Sequence, residues 1–81
     1  MASGKIRNCF KIYDYTNTTN ANGDLGIPIL YQQFVGGFSL TTGANAQFRI
    51  SGGRDTMVAH FTDNSNQNIA NTSVTARIYY V

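Results

Sequence analysis

The stretch S-V-T-A-R-I-Y-Y-V, residues Ser73 to Val81, is the most regular part of the sequence and decides the expected fold. Small, β-branched or aromatic side chains recur at a spacing of two along one face: Val74, Ala76, Ile78 and Tyr80. The residues between them form the opposite face: Thr75, Arg77, Tyr79 and Val81. Alternation of this kind is typical of a half-buried β-strand. The sequence therefore predicts that the end of the chain is held within a sheet.

Shorter segments with a similar pattern precede this strand and are separated by turn signals. Further strands are predicted at 5–13, 29–35, 38–42, 47–51 and 56–62. Asn, Thr, Ser and Gly are abundant and glutamate is absent, so no window has the composition of a surface helix. We therefore expect an all-β fold without helices, namely a small, jelly-roll-like antiparallel β-sandwich or barrel of six to seven short strands.

The alternation also assigns side chains to the core face of these strands. Ahead of the final strand they are Ile6, Phe10, Ile12, Phe38, Leu40, Phe48 and Ile50. In the strand at 56–62, Met57, Ala59 and Phe61 alternate with Val58 and His60. Cys9 and Tyr13 fall on the solvent side of the first strand. Gly36-Gly37 predicts a bulge or tight turn, and Gly52 to Asp55 predicts a tight turn. Pro28 cannot donate to a ladder, so we expect it at an edge, at a bulge or before the strand proper.

The length of 81 residues corresponds to one domain, 1–81, with residues 1–4 forming an arm that is flexible or bound to a partner. A domain of this size buries only about 60% of the surface of its unfolded chain. Small domains therefore often add disulfides, a metal or subunit association. Cys9 is the only cysteine and His60 the only histidine, so we expect neither an internal disulfide nor a metal site. Self-association or contact with a partner surface is the expected stabiliser.

The charges are few and scattered, with a formal net charge of +2. A nucleic-acid site concentrates Lys and Arg in one patch, whereas only Lys5, Arg7 and Lys11 cluster here, on the solvent face of one strand. No apolar run approaches the roughly 20 residues of a membrane span. We therefore expect no nucleic-acid partner, no membrane partner and no cofactor.

Residues suited to catalysis are scarce. His60 is the only base that titrates near neutral pH, and its position in an apolar strand favours a hydrogen-bonded structural role. Asp24, Asp55 and Asp63 lie in predicted turns, where capping of backbone N–H groups accounts for them. Cys9 has no base near it in the sequence. We expect no enzyme, and a hydrolase built on His60 is the weakest hypothesis.

Carbohydrate binding has more support, because sugar sites combine aromatic platforms with amide and carboxylate groups. Five tyrosines and many asparagines are present, although tryptophan is absent. The polar loops at 16–24 and 63–68, with nearby tyrosines, are the segments that would form such a site. A glycan-binding or receptor-binding module therefore stays open as the second hypothesis.

The segment G-G-R-D-T-M-V-A-H-F-T-D-N (Gly52 to Asn64), followed by Ser73 to Val81, resembles the closing hairpin of small β-sandwich domains in bacteriophage virions. Such domains form capsid decoration (cement) proteins and tail-fibre tips. In them a G-x-D-T strand leads through a polar loop to a terminal strand of the V-T-x-R-x-Y type. The likeness covers about the last third of the chain. It implies a non-enzymatic, symmetric part of a virion surface, usually a trimer.

The first hypothesis is therefore a virion structural protein that binds copies of itself and a capsid or tail surface. The expected contact residues are Lys5, Tyr13, Tyr15, Tyr31, Arg77 and Tyr79, with the arm at 1–5. A tail-fibre tip usually ends a long chain. If the 81 residues are a whole gene product, a capsid-decorating subunit is favoured, and if they end a longer chain, the tip is favoured.

Overall fold

A computed structural model describes residues 10–51 and 55–81 of the chain. Several predictions fall outside these residues: the arm at 1–4, Lys5 and Ile6, the solvent-side position of Cys9, and the glycines of the turn before Asp55. The described chain forms six strands and a single short 3₁₀ turn, Tyr31–Gln33. The strands are β1 (Lys11–Thr18), β2 (Asp24–Leu30), β3 (Phe34–Ser39), β4 (Asn45–Ile50), β5 (Thr56–Thr62) and β6 (Ser73–Tyr80).

The strands form two antiparallel sheets of three, in the orders β1-β6-β3 and β2-β5-β4. The predicted all-β fold is confirmed, and the sheets pack on one shared core as a small sandwich. The first four strands alternate between the two sheets and form their edges. β5 is then the central strand of one sheet and β6 the central strand of the other. This is the strand alternation of a jelly roll, built here with six strands.

The two central strands, β5 and β6, supply most of the core. Met57, Ala59 and Phe61 of β5 are buried, as are Val74, Ala76 and Ile78 of β6, and Tyr80 of β6 is half-buried beside them. Edge strand β2 adds Leu25, Ile27 and Ile29, and the remaining side chains packed against this cluster come from the other strands and loops. The predicted anchoring of the chain end is also confirmed, because β6 has a neighbour on both sides. The N–H of Val81 then donates to the carbonyl of Gln33 at 2.9 Å.

Several strand boundaries differ from the prediction. β3 (Phe34–Ser39) replaces the short strand expected at 38–42, and β4 begins at Asn45 instead of Gln47. A strand was expected at 29–35, but β2 ends at Leu30 and the chain makes a 3₁₀ turn before β3 begins at Phe34. The run D-L-G-I-P-I-L (Asp24–Leu30) alternates with its apolar residues inward, which explains the earlier start. β1 continues to Thr18, beyond the expected loop start at Thr16, since β-branched residues favour strands.

Pro28 lies in edge strand β2, at the register shift between Ile27 and Leu30, which confirms the expected edge or bulge position. The irregularity predicted at Gly36-Gly37 lies one step earlier, between Phe34 and Gly36. Both glycines remain within β3, so there is no tight turn at this point.

The predicted face of β1 is wrong. Tyr13 lies opposite Ile78 and Tyr15 opposite Ala76, so the odd-numbered residues of β1 face the core side. Ile12 lies opposite Tyr79 on the other side and is 59% exposed. Phe10, also expected in the core, is exposed as well. The register with β6 therefore overrides the apolar alternation that was read from the sequence.

Three further side chains expected in the core are exposed: Phe38, Leu40 and Ile50. The register shift before Gly36 changes the alternation, and Phe38 lies opposite the outward Arg77. Leu40 follows on the same side. Ile50 lies opposite buried Met57 and so points inward, but β4 ends there and leaves it uncovered. Phe48 is half-buried and packs on the core as predicted.

Candidate interaction surface

The side of sheet β1-β6-β3 that faces away from the core is called the outer face below. Since Val74, Ala76 and Ile78 point into the core, the residues between them and their cross-strand partners form this surface. Its three rows across the sheet are Ile12–Tyr79–Gly36, Asp14–Arg77–Phe38 and Thr16–Thr75–Leu40. Leu40 joins the last row through its N–H, which donates to the carbonyl of Thr75 at 2.9 Å.

Three of the nine positions of the outer face carry exposed apolar side chains. Ile12, Phe38 and Leu40 are 59%, 45% and 40% exposed. The ring of Phe38 lies 6.1 Å from that of Tyr79, centroid to centroid, at an interplanar angle of 38°. Gly36 lies opposite Tyr79 and has open space where a side chain would stand, so nothing at that position covers the tyrosine ring. The face thus presents aliphatic and aromatic groups together, a composition that favours contact with another molecule.

One ion pair lies at the centre of the outer face. Arg77 donates from Nε to Oδ1 of Asp14 at 2.8 Å and from Nη2 to Oδ2 at 3.0 Å. This two-point contact is the strong, directional form of an arginine–carboxylate pair. The hydrogen bond from Arg77 lowers the pKa of Asp14 below its ordinary value of 3.8, and the same contact raises the pKa of Arg77. The two charges therefore cancel across a wide range of pH.

The opposite outer surface, on sheet β2-β5-β4, has a different character. Asp24 lies directly opposite His60 and accepts a hydrogen bond from its Nδ1 at 2.7 Å. Its other oxygen accepts from Nη2 of Arg49 at 3.2 Å. An ionised carboxylate can only accept, so His60 carries its proton on Nδ1. Partial burial opposes ionisation of Asp24, but the hydrogen bonds from His60 and Arg49 outweigh it and lower the pKa of Asp24.

The predicted roles of these acidic residues were correct only in part. Asp63 caps a turn as expected, since its Oδ1 accepts from the N–H groups of Ser65 at 2.8 Å and Gln67 at 2.9 Å. Asp24 begins a strand instead of lying in a turn, and its carboxylate binds two side chains. The hydrogen-bonded role predicted for His60 agrees with its contact to Asp24.

The predicted contact residues do not form one cluster. Arg77 and Tyr79 lie together on the outer face, whereas Tyr13 and Tyr15 lie on the other side of β1, with ring centroids 5.9 Å apart. Tyr15 packs against the core, and its hydroxyl accepts from Nδ2 of Asn17 at 2.8 Å. Tyr31 is exposed in the 3₁₀ turn. Lys5 lies outside the described residues.

Three residues of the outer face were assigned to the core by the sequence reasoning, namely Ile12, Phe38 and Leu40. A partial signal for Phe38 was present in the sequence. A bulge beside Gly36-Gly37 reverses the alternation after it, and the bulge itself was expected. For Ile12 the decisive information is the pairing of β1 with β6, which the sequence of β1 does not contain.

Of the two loops predicted for a carbohydrate site, the one at 16–24 bonds to the residues that follow the other, at 69–72. The buried hydroxyl of Thr19 donates to the carbonyl of Ile69 at 2.6 Å, and the N–H of Asn71 donates to the carbonyl of Asn20 at 3.1 Å. The side-chain oxygen of Asn20 accepts from the N–H groups of Asn22 and Asp24. These polar groups already bond within the loops, so they rigidify this end of the sandwich.

The part of the chain that the structure describes forms no cleft or enclosed cavity. In residues 10–51 and 55–81, no three His, Cys, Asp or Glu side chains lie close enough together to hold a metal ion. Nor does any helix within these ranges have the length and apolar composition needed to cross a membrane.

Comparison with protein-family models, with curated proteins and with solved structures finds no match to this chain.

Proposed function

We propose that this protein is a non-enzymatic structural subunit of a bacteriophage virion, which acts by association, most simply as a capsid-decorating (cement) subunit. The virion setting follows from the sequence resemblance of the closing strands. The observation that carries the mode of action is the outer face, where exposed Ile12, Phe38 and Leu40 surround the neutralised pair of Asp14 and Arg77. This face is the attachment surface.

Physical chemistry supports attachment through this face. Covering the exposed apolar groups removes them from water, which stabilises a complex by roughly 25 cal/mol per Å² of apolar area before the costs of association. Tyrosine and arginine, both present here, are enriched where interfaces are tightest. Because Arg77 and Asp14 satisfy each other, a partner can cover them without leaving either charge unpaired.

Particle composition is the first test of this proposal. Mass spectrometry of purified virions from the phage that encodes the chain should detect its peptides in a fixed ratio to the major capsid protein. Absence of the chain from intact particles would contradict the virion role. Its presence in tails alone would replace the capsid proposal with the tail-fibre alternative.

A matched pair of variants tests the attachment surface. Phe38→Ser combined with Leu40→Ser should weaken binding to particles that lack the subunit by about tenfold or more, because two apolar contacts are lost. The control combines Leu30→Ser with Ile50→Ser, which are exposed to a similar degree, 48% and 44%, but lie on the other sheet. Equal losses of particle affinity in both double variants would contradict attachment through the outer face.

Glycan or receptor binding is the second candidate function. The observation that favours it is the joining of the loops around Thr19 and Ile69 into one rigid end of the sandwich. A glycan array should then give hits that Asn66→Ala and Asn68→Ala reduce, since both residues are exposed in that loop region. An array without hits would eliminate this candidate.

Catalysis is not part of the proposal. His60 and Asp24 form a hydrogen-bonded pair on an open sheet surface, and no cleft is present in the described residues to exclude water from a substrate. An activity that is lost in His60→Ala but kept in Arg49→Ala would contradict the non-enzymatic assignment.

A further inference from the structure

Four strands lie at sheet edges, and an exposed edge offers unpaired N–H and C=O groups to another strand. Edge strand β2 is interrupted by Pro28 and by a register shift. The edges β3 and β4 close on each other at one corner of the sandwich. There the rings of Phe34 and Phe48 lie 5.1 Å apart, and Phe48 packs over Gly37. These three edges are therefore poor sites for a further strand.

The remaining edge, β1, has none of these features. It pairs with β6 through eight consecutive residues, Lys11 to Thr18, without a register shift and without proline. Asp14 is neutralised by Arg77, so Lys11 at the start of the strand is its one charge without an ion-pair partner among the described residues. No described strand pairs with the other side of β1. A long, regular and nearly uncharged edge favours strand addition.

We propose that β1 is the edge at which two copies of this chain pair, antiparallel and about a two-fold axis. The two sheets of three strands would then join into one continuous sheet of six. This inference deepens the proposed function, on which its biological meaning rests, by naming the partner and the strand that binds it. It favours a pair of subunits over the trimer that the sequence resemblance implies.

Charge and side-chain placement favour a second copy in the antiparallel orientation. An antiparallel pair places the two Lys11 residues at opposite ends of the shared ladder, whereas a parallel pair would bring them together. The exposed Tyr13 of each copy would then lie near the paired β1 strands on one side of the sheet, and the exposed Ile12 would lie near them on the other side. Cross-strand aromatic and β-branched pairs of this kind stabilise sheets.

Sedimentation and amide exchange test the proposal on the intact chain. Sedimentation velocity between about 1 μM and about 1 mM should show a monomer–dimer equilibrium. Exchange of the amides at 10–18 should slow as the dimer fraction rises, while the amides of β4 at 45–50 should not change. A monomer throughout, a trimer, or protection confined to β4 would overturn the proposal. Amides of β1 protected equally in the monomer would also overturn it, because the edge would then be covered within one chain.

Two tyrosine variants provide a matched comparison. Tyr13→Lys introduces like charges near the place where the two β1 strands pair, and it should raise the dimer dissociation constant by about tenfold. Tyr31→Lys changes a tyrosine of similar exposure in the 3₁₀ turn and should leave that constant within about twofold. Equal dissociation constants for the two variants would contradict pairing at β1. The concentration dependence of exchange in the unmodified chain still decides the question if Tyr13→Lys folds poorly.

The outcome is separable from that of the proposed function. Tyr13 lies off the outer face, and Phe38 and Leu40 lie away from β1. Loss of dimers with retained particle binding would therefore reject only the pairing at β1. Intact dimers that are absent from virions would reject only the virion role.

Discussion

The outer surfaces of the two sheets differ although both cover the same core. The surface of sheet β1-β6-β3 exposes Ile12, Phe38 and Leu40 around one closed pair of opposite charges. The surface of sheet β2-β5-β4 has Asp24 at the centre of a polar network, with His60 on one oxygen and Arg49 on the other. Both are antiparallel surfaces of three strands, so the difference lies in the side chains and not in the backbone.

This difference shows where a partner can bind at low cost. On the outer face, the removal of hydrocarbon from water offsets the cost of desolvating the Asp14–Arg77 pair, which stays intact. On the surface of sheet β2-β5-β4, a partner would have to desolvate Arg49, whose side chain is largely exposed, and the polar ring of His60. We therefore propose the outer face, and not the surface of sheet β2-β5-β4, for association.

The largest effect on stability is expected at Gly37 in β3, whose backbone packs closely against Phe48 and β6. A Cβ at Gly37 would lie 2.6 Å from the carbonyl oxygen of Arg77 and 2.9 Å from Cζ of Phe48. Gly37→Ala should therefore lower the free energy of unfolding by roughly 2 kcal/mol, measured by chemical denaturation. The adjacent Gly36 has open space around it, so Gly36→Ala should be neutral or slightly stabilising. Equal losses for the two variants would contradict the close packing of Gly37 against Arg77 and Phe48.

A smaller effect should distinguish the two networks of charge. Asp24→Asn removes the carboxylate that binds both His60 and Arg49 and should lower the free energy of unfolding by about 1 kcal/mol. Asp14→Asn opens a more exposed pair and should lower it by less. Denaturation of both variants at neutral pH makes the comparison, and a larger loss in Asp14→Asn would reverse the ranking of the two networks.

Acid should weaken both networks in the same direction. The pKa values of Asp14 and Asp24 are lowered in the folded chain, so the unfolded chain binds more protons in acid. Their stabilising contribution is complete above the ordinary carboxyl pKa of 3.8 and is lost as the pH falls through the lowered folded values. Denaturation between about pH 2 and about pH 5 should show this loss, and each Asp→Asn variant should reduce it. An unchanged slope in both variants would mean that other groups cause the acid sensitivity.

The smallest effect on stability should come from the apolar surface itself. Ile12→Thr keeps a β-branched side chain at a position that is 59% exposed, so the free energy of unfolding should change by no more than about 0.5 kcal/mol. The same substitution should still weaken particle binding, which a co-sedimentation assay measures. A large loss of stability would show that Ile12 supports the monomer and is not held at the surface for a partner.

Much of the fold could be predicted from the sequence, because its central strands alternate cleanly. The bounds predicted for β5 are those observed, and the burial of Val74, Ala76 and Ile78 follows their spacing of two. Pro28 was placed correctly at an edge strand, because proline has no N–H to donate and is therefore excluded from central strands.

The apolar surface could not be predicted, because its composition depends on pairing between distant strands. Ile12 is outward only because β1 pairs with β6 in the register that places Tyr13 opposite Ile78. Phe38 is outward only because a register shift precedes Gly36. A single residue of register moves every side chain to the other face, and local alternation does not fix it at an edge strand. The network of Asp24 was missed for the same reason, since His60 and Arg49 come from other strands.

Hydroxyl-radical footprinting of the subunit bound to particles tests most directly whether the outer face is the attachment surface, since it measures the solvent accessibility of both sheets in one sample. Phe38 and Tyr79 report on the apolar surface, and His60 and Leu30 report on the other sheet. We predict that particles protect Phe38 and Tyr79 from oxidation and leave His60 and Leu30 as reactive as in the free protein. Protection of His60 and Leu30 with unchanged Phe38 and Tyr79 would contradict the claim.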